Sequence, residues 1–217
     1  YRRPSHDCAC GLYTRSMSAN LNPNPVTPSG LASATPHVPL AQFGFAWFVP
    51  VMGWIGLTMA WFQIPREEPG IASAAQLATL ISVGLFVLVL LTNLLRAWRH
   101  PQALLADLRH PVRMAFTASF AIALVLMGTL GTIWGMTDEP WVQATWWAGS
   151  VLEFSITVWV MSRCLRSADA GGLAWPAITP LLMIPIVGNV LVPLAGLRWP
   201  VSGWMSAQFG LGLFLWP

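Results

Sequence analysis

Residues 179–196 read TPLLMIPIVGNVLVPLAG, an almost wholly apolar segment that is long enough to cross a lipid bilayer. It is interrupted by three prolines, a glycine and a single amide side chain, namely Pro180, Pro185, Pro193, Gly188 and Asn189. An internal proline removes a backbone donor and clashes with a carbonyl of the preceding turn. Lipid offers no replacement partner, so broken helices persist at membrane depth where protein or a water-filled cavity satisfies the freed groups. The segment therefore predicts a protein that moves a solute across a membrane.

The composition indicates the same class of protein. Hydrophobic residues make up 55% of the chain and charged residues 9%, against about 25% charged residues in a typical soluble domain. Apolar runs near the roughly 20 residues that a spanning helix needs lie at Phe43–Phe62, Ala74–Leu95, Phe116–Ile133 and Trp141–Met161. A last run begins near Trp204 and stops at Pro217, which is too short for a full span. We expect an all-α membrane protein of helical hairpins, with five full transmembrane helices and a truncated sixth.

The N-terminal part of the chain differs from the rest. It is rich in Ser, Asn, Pro and Ala and shows no hydrophobic periodicity. Such a segment cannot bury enough apolar surface to fold. We expect a disordered tail over residues 1–40 and a transmembrane domain over residues 41–217 that is truncated at its C-terminus. Residue 1 is Tyr and Met17 is a candidate start, in which case residues 1–16 would not be native.

The distribution of arginine predicts the orientation of the chain, since all eleven basic residues are arginines. Nine of them lie in the tail and in the second and fourth connections, whereas the first, third and fifth connections hold only Arg66 and Arg198. Basic residues near the ends of spans are concentrated on the cytoplasmic side. The N-terminus is therefore expected in the cytoplasm. Membrane placement also explains the basic pI of about 9.2, so no nucleic-acid partner is expected.

The predicted spans carry no recognisable set of catalytic or cofactor-binding residues. The four histidines lie in the tail or in the second connection, and the sequence holds no motif for phosphate binding or hydrolysis. Cys8 and Cys10 resemble half of a metal clip but have no matching pair. We expect neither an enzyme nor a bound metal or cofactor.

Glu153 is the only acidic residue inside a predicted span. An ionisable residue at membrane depth is a functional candidate by default, and here its role would be that of a proton-coupling carboxylate. The alternative is a structural polar contact with a neighbouring helix. We favour the structural contact, because no second ionisable group at similar depth supplies a proton relay.

The second connection, residues 98–116, reads WRHPQALLADLRHPVRMAF. Pro111 is predicted to start the third span, because proline is favoured in the first turn of a helix. Arg109 and Arg113 would flank that start, where the positive end of the helix dipole adds to their charge and attracts anions to the inner mouth of a pore. Alternatively, both arginines are ordinary topology signals and lipid-headgroup anchors.

A short sequence pattern occurs both in the first span and in the interrupted fifth span. Phe48–Gly53 and Met183–Gly188 both read apolar, apolar, proline, apolar, apolar, glycine. Internal repeats with broken helices are common in transporters. This repeated pattern suggests that the first and fifth helices occupy equivalent places in the fold.

Three segments carry a resemblance to a known family: the first span up to Trp61, DLRHPVR at Asp107–Arg113, and IPIVGNVLVPLAG at Ile184–Gly196. From about Gln42 onward the chain resembles the TehA-like tellurite-resistance/dicarboxylate transporter family, which is related to the plant slow anion channels. The resemblance implies ten helices in five hairpins, a central pore lined by the odd-numbered helices, and a homotrimer. It covers the N-terminal half of that fold, and the phenylalanine that plugs the pore belongs to the other half.

The resemblance also implies roles for matching positions. The pore-lining and kink candidates are Pro50, Gly53, Pro185, Gly188, Asn189 and Pro193, and the inner-mouth candidates are Arg109 and Arg113. The expected function is transport of anions or C4-dicarboxylates, or tellurite resistance, in the bacterial inner membrane, with a small anion and membrane lipids as partners. A non-transporting membrane scaffold or resistance accessory protein is the alternative. Transport predicts that spans one, three and five line one interior face.

Overall fold

The apolar runs of the sequence form helices, as expected where the backbone must satisfy its own hydrogen bonds. A computed structural model describes residues 43–64, 69–110, 112–166, 172, 180–197, 199 and 202–216. All regular secondary structure in these residues is helical, as predicted. The tail that we predict to be disordered, residues 1–40, lies outside the described residues.

Seven α-helices follow one another in the described part of the chain. They are α1 (Phe48–Trp61), α2 (Pro69–Arg99), α3 (Pro101–Arg109), α4 (Thr117–Ile133), α5 (Pro140–Leu165), α6 (Ile184–Leu191) and α7 (Gly203–Phe214). Short 3-10 segments precede α1 and α4 and flank α6 on both sides; they are Phe45–Trp47, Arg113–Phe116, Pro180–Met183 and Val192–Leu197.

Prolines and one serine account for several helix starts. Pro101 and Pro140 occupy the first turns of α3 and α5, where a helix has no use for the missing N–H. Ser202 caps α7, because its side-chain oxygen accepts a hydrogen bond of 3.3 Å from the backbone N–H of Met205. Pro111, which we predicted to start the third span, lies outside the described residues, and α4 itself begins at Thr117.

The predicted spans coincide with helices, but they differ in length. Two helical stretches, Gly70–Arg99 and Arg113–Ile133, are long and apolar enough to cross a membrane by themselves. The first and fifth predicted spans form shorter apolar stretches, Phe45–Trp61 and Pro180–Leu194. The count of five full spans therefore remains a prediction.

α4 lies at the centre of the described helices, where it packs against α1, α5 and α6. Its contact with α5 is close, because glycines on both helices face the partner. A Cβ atom built at Gly128 would lie 2.7 Å from Cβ of Trp146, and one built at Gly149 would lie 2.7 Å from the backbone nitrogen of Val125. Small residues at such interfaces let the backbones of membrane helices approach each other.

α2 lies on the outside of this arrangement. One face packs against α1 through a 2.9 Å hydrogen bond between the hydroxyls of Thr58 and Ser82. The opposite face exposes large apolar side chains, including Leu77, Leu80, Leu88, Leu91, Leu94 and Trp98. Only 28% of the apolar part of α2 is buried inside the protein, against 72% for the stretch that contains α4. A large exposed apolar face of this kind suits contact with lipid.

Candidate functional site

A groove runs along α1, α4 and α6. It consists of two adjoining cavities of about 830 and 290 Å³, which share Val49, Met52 and Leu191 in their walls. The other wall residues are Gly53, Gly56, Met59, Ala60, Phe62, Gln63, Ser119, Ile122, Leu126, Ile133, Pro180, Met183, Ile184, Val187 and Leu194. None of these residues belongs to α2 or α5. The groove is therefore lined by the first, third and fifth predicted spans, which is the radial arrangement that transport predicts.

The wall contributed by α1 follows from the helical period. Val49, Met52, Gly53, Gly56 and Met59 recur at spacings of three and four, so they share one face of the helix. A Cβ built at Gly53 or at Gly56 would meet no atom within 4 Å, so both glycines widen the groove. Pro50, the neighbouring kink candidate, is exposed but does not belong to the wall.

The interrupted fifth segment changes its helix type beside two of its prolines. A 3-10 segment gives way to α6 just before Pro185, and α6 gives way to a second 3-10 segment just before Pro193. The Nδ2 of Asn189 donates to the carbonyl oxygen of Pro185 at 2.8 Å and to Oγ1 of Thr157 at 2.6 Å. Thr157 Oγ1 in turn lies 3.0 Å from the Pro185 carbonyl. The amide of Asn189 thus links α6 to α5, and its side chain is fully buried and does not belong to the groove wall.

Gly188 and Glu153 meet on the same side of α6. The carboxyl of Glu153 and the side chain of Ile122 both lie against Gly188, where a Cβ would be 2.6 Å from Cδ of Glu153 and 2.7 Å from Cγ1 of Ile122. A side chain at this position would displace Glu153 and Ile122, so glycine permits their close approach to α6. Ile122 also lines the groove, so Glu153 lies directly behind the groove wall.

Glu153 is fully buried, and neither of its side-chain oxygens has a hydrogen-bond partner among the described residues. The same holds for Oδ1 of Asn189 and for the hydroxyl of Ser119, which lines the groove. Buried polar atoms are nearly always hydrogen-bonded, so each exception calls for an explanation. Three predicted site residues, Gly188, Asn189 and Glu153, are thus brought together behind the groove.

The inner connection is organised by Asp107. Its Oδ2 accepts a hydrogen bond of 2.6 Å from Nη2 of Arg96 at the end of α2, and its Oδ1 accepts one of 3.0 Å from Nη1 of Arg113. The side chain of Arg96 is 3% exposed and that of Arg113 is 63% exposed. Gly44, just before the 3-10 segment that leads into α1, also lies close, since a Cβ built there would be 3.3 Å from Oδ2 of Asp107. One carboxylate therefore holds the starts or ends of several helices together.

This cluster lies at one end of the groove. The 3-10 segment that begins at Arg113 packs against the segment Pro180–Met183. Pro180 and Met183 line the smaller cavity. Arg109, the other inner-mouth candidate, is exposed at the end of α3. Arg96 and Asp107 were not among the predicted site residues, although Asp107 lies two residues from Arg109 in the motif DLRHPVR.

A second polar contact joins α5 and α7. Nε1 of Trp204 donates to Oγ of Ser150 at 2.7 Å, and Nε2 of Gln208 donates to the Ser150 carbonyl at 2.9 Å. Among the described residues, no group of three His, Cys, Asp or Glu side chains could hold a metal ion. Cys8 and Cys10 lie outside the described residues.

Comparison with known proteins places the chain in a family. The family model for the voltage-dependent anion channel, SLAC1, matches residues 42–217. An uncharacterized transporter of Methanocaldococcus jannaschii is 24% identical over 158 residues, which cover 72% of this chain and 45% of that protein. The chain thus spans about half the length of the curated relative that it matches, and no solved structure matches it. The resemblance stated from the sequence is confirmed: the chain belongs to the voltage-dependent anion channel family, and it is an integral membrane protein.

Proposed function

We propose that this chain forms part of the wall of an anion-conducting lumen, and that the groove along α1, α4 and α6 is the part that it contributes. The observation that carries the proposal is the separation of inner from outer helices. α1, α4 and α6 line the groove, whereas α2 turns a large apolar face outward. A scaffold that only packs helices together has no need of a groove bounded by alternate helices.

The charge at the inner end of the groove supports anions as the transported class. This region carries a net positive charge. Its one carboxylate, Asp107, is outnumbered by three arginines, namely Arg96, Arg109 and Arg113. The groove wall itself is mostly apolar and carries no charged side chain among its described residues. Anions would therefore be concentrated at the mouth and bound weakly inside, an arrangement that favours passage over retention.

The finer assignments form part of the same proposal. The substrates are small anions, with C4-dicarboxylates and tellurite as candidates. The N-terminus lies in the cytoplasm of a bacterial cell, because nine of the eleven arginines would then be on the inner side. The assembled protein is a homotrimer in contact with membrane lipids, as the resemblance implies.

A matched pair of glycine substitutions tests the lumen. Gly53 lies in the groove wall and Gly84 lies on the exposed side of α2, and a Cβ at either position would meet no atom within 4 Å. Gly53→Leu is expected to lower anion flux into liposomes several-fold, because the new side chain enters the groove. Gly84→Leu is expected to leave flux unchanged, because its side chain would point away from the groove.

The outcome separates transport from the scaffold alternative. Protein insertion and the folded fraction are measured for both variants, so that a loss of flux cannot be confused with a loss of protein. Equal flux in Gly53→Leu and Gly84→Leu would remove the groove from the conduction path. An absence of anion flux in the unsubstituted protein would favour a scaffold or accessory role.

A further inference from the structure

Glu153 has no counter-charge on the helices that surround it. α4 and α6 pack against α5, and α7 contacts it through Ser150. None of these three helices contains Asp, Glu, His, Lys or Arg. On α5 itself, the nearest ionisable side chains toward the C-terminus are Arg163 and Cys164, about 15 Å away at a rise of about 1.5 Å per residue. Glu139 stands just before the first turn of the helix, farther away still.

The polar side chains beside Glu153 bond to one another and to backbone carbonyls but not to its carboxyl, and Oδ1 of Asn189 likewise has no partner among the described residues. Nδ2 of Asn189 donates to Oγ1 of Thr157 and to the Pro185 carbonyl, and Oγ1 of Thr157 lies within hydrogen-bond distance of the same carbonyl, so these groups link α5 to α6. A structural polar contact, the role that we favoured from the sequence, requires a partner, and the described residues provide none. A metal ion would require further carboxylate, imidazole or thiolate ligands, which the described residues do not bring together here.

A proton would satisfy this site, for which the described residues offer no other partner. An ionised carboxylate without donors or counter-charge is very costly to bury, whereas the neutral acid is far cheaper. The surroundings of Glu153 therefore favour the protonated, neutral form of its carboxyl group over the ionised form. We propose that Glu153 is a proton-binding site behind the groove wall, and that release of its proton separates α6 from α5 at Gly188.

The position of Gly188 connects the proton to the shape of the groove. In this structure, the carboxyl of Glu153 lies directly against Gly188, with no room for water between them. When the O–H bond of the acid breaks, the proton passes to water that enters from the groove, and the carboxylate that remains must be hydrated. Hydration requires space on the α6 side. Val187 and Leu191 of the same short helix line the groove, so a displacement of α6 changes the width of the groove.

The interruptions of the fifth segment lower the free-energy cost of displacing α6. α6 has only eight residues, and it is bounded by 3-10 segments beside Pro185 and Pro193. Proline leaves a carbonyl of the preceding turn without its helical donor, which weakens the connection at both ends. Few backbone hydrogen bonds would have to change for α6 to move as a unit, and the bonds to be broken are the side-chain contacts of Thr157 with Asn189 and with the Pro185 carbonyl. The coupling of this movement to transport rests on the proposed function, whereas the proton site itself does not.

Infrared spectroscopy of the reconstituted protein tests the proton site without any transport assay. A protonated carboxylic acid in an apolar site has a carbonyl stretch that is separate from the amide bands and shifts in deuterated water. We expect such a band in the unsubstituted protein, its loss in Glu153→Gln, and its retention in Glu139→Gln, in which an exposed loop carboxyl is removed. The chain has only eight Asp and Glu residues, so the band can be assigned. Identical spectra for the unsubstituted protein and Glu153→Gln at every pH would overturn the proposal.

A second measurement covers the case in which Glu153→Gln does not fold. Dicyclohexylcarbodiimide reacts with protonated carboxyls in apolar sites, and mass spectrometry locates the modified residue in the unsubstituted protein. We expect modification of Glu153 that declines as the pH is raised. Modification of other carboxyls, with Glu153 untouched at acidic pH, would count against the proposal.

Anion flux measured over a range of pH tests the coupling. We expect flux in the unsubstituted protein to change with pH, and flux in Glu153→Gln to lose the part of that change that Glu153 contributes. The two proteins differ only at residue 153, so any pH dependence that arises elsewhere cancels in the comparison. The same pH profile in both proteins would overturn the coupling. An absence of flux in every protein would instead overturn the proposed function, while the infrared result still decides the proton site.

Discussion

At the residue scale, Asp107 shows how one carboxylate can hold two arginines of very different exposure. The pair with Arg96 is almost completely buried, whereas Arg113 is largely in solvent. An exposed ion pair contributes about 0–1 kcal/mol to stability, but loss of one partner of a buried pair costs about 3–5 kcal/mol. Asp107 is therefore expected to act mainly through Arg96, as the attachment of α3 to the end of α2.

The prediction for this residue concerns stability. Asp107→Ala is expected to lower the free energy of unfolding by about 3 kcal/mol, because the Arg96 guanidinium would be left buried without its carboxylate. Unfolding is followed by denaturant titration in detergent micelles. Asp138→Ala, in an exposed loop, is the control and should change the free energy by less than about 0.5 kcal/mol. Equal effects of the two substitutions would show that the buried pair does not hold this connection.

The Asp107 cluster also marks a limit of prediction from sequence. The motif around Arg109 and Arg113 could be singled out as a candidate from its place between two spans and from the family resemblance. Arg96 lies eleven positions before Asp107, on the preceding helix. The two meet because α3 turns the chain back, and no separate helix was predicted within this connection. A contact that depends on an unforeseen helix could not be predicted.

At the element scale, the apolar runs predicted the helices well and their ends less well. The third span was predicted at Phe116–Ile133 and the helix is Thr117–Ile133. The second was predicted at Ala74–Leu95, whereas α2 extends over Pro69–Arg99. Hydropathy locates the part of a helix that lies in lipid, but its polar ends are set by caps and by contacts such as Arg96 with Asp107. The interruption of the fifth segment was foreseen from its prolines, because the missing donor is a property of the residue itself.

The close contact of α4 and α5 provides a prediction at this scale. Gly149→Ala is expected to lower the free energy of unfolding by about 1–3 kcal/mol, because the new methyl group would lie 2.7 Å from the Val125 nitrogen and force the helices apart. Thermal unfolding in detergent measures the effect. Gly210→Ala on α7 is the matched control, since a Cβ there meets no atom within 4 Å. A Gly149→Ala protein as stable as the control would mean that this interface tolerates a wider spacing.

At the scale of the whole molecule, the alternation of inner and outer helices could be anticipated only through the family resemblance. Hydropathy does not distinguish a helix that lines a groove from one that faces lipid, since both are apolar. The wall of the groove is built mainly from apolar residues of α1, α4 and α6, and apolar side chains also cover the outside of α2. The packing of α4 among α1, α5 and α6 decides which apolar face becomes interior.

The last prediction concerns the charge at the mouth of the groove. Arg109 is exposed and forms no ion pair among the described residues, whereas Arg113 is paired with Asp107. Substitution of Arg109 therefore tests electrostatic attraction more directly than substitution of Arg113, because it leaves the ion pairs of Asp107 intact. An exposed charge contributes about 1 kcal/mol or less, which changes the local anion concentration by up to about fivefold. Arg109→Gln should lower anion flux by up to that factor at low salt.

Ionic strength separates this effect from a structural one. The Debye length falls from about 30 Å at 0.01 M salt to about 10 Å at 0.1 M, so the attraction exerted by Arg109 should fade as salt is added. Flux in Arg109→Gln should therefore approach that of the unsubstituted protein at high salt. Arg99→Gln, an exposed arginine at the end of the outer helix α2, is the control and should retain its flux throughout. Equal losses in both variants, or a loss that does not depend on salt, would identify Arg109 as a topology signal or headgroup anchor, because attraction at the mouth requires both position and screening.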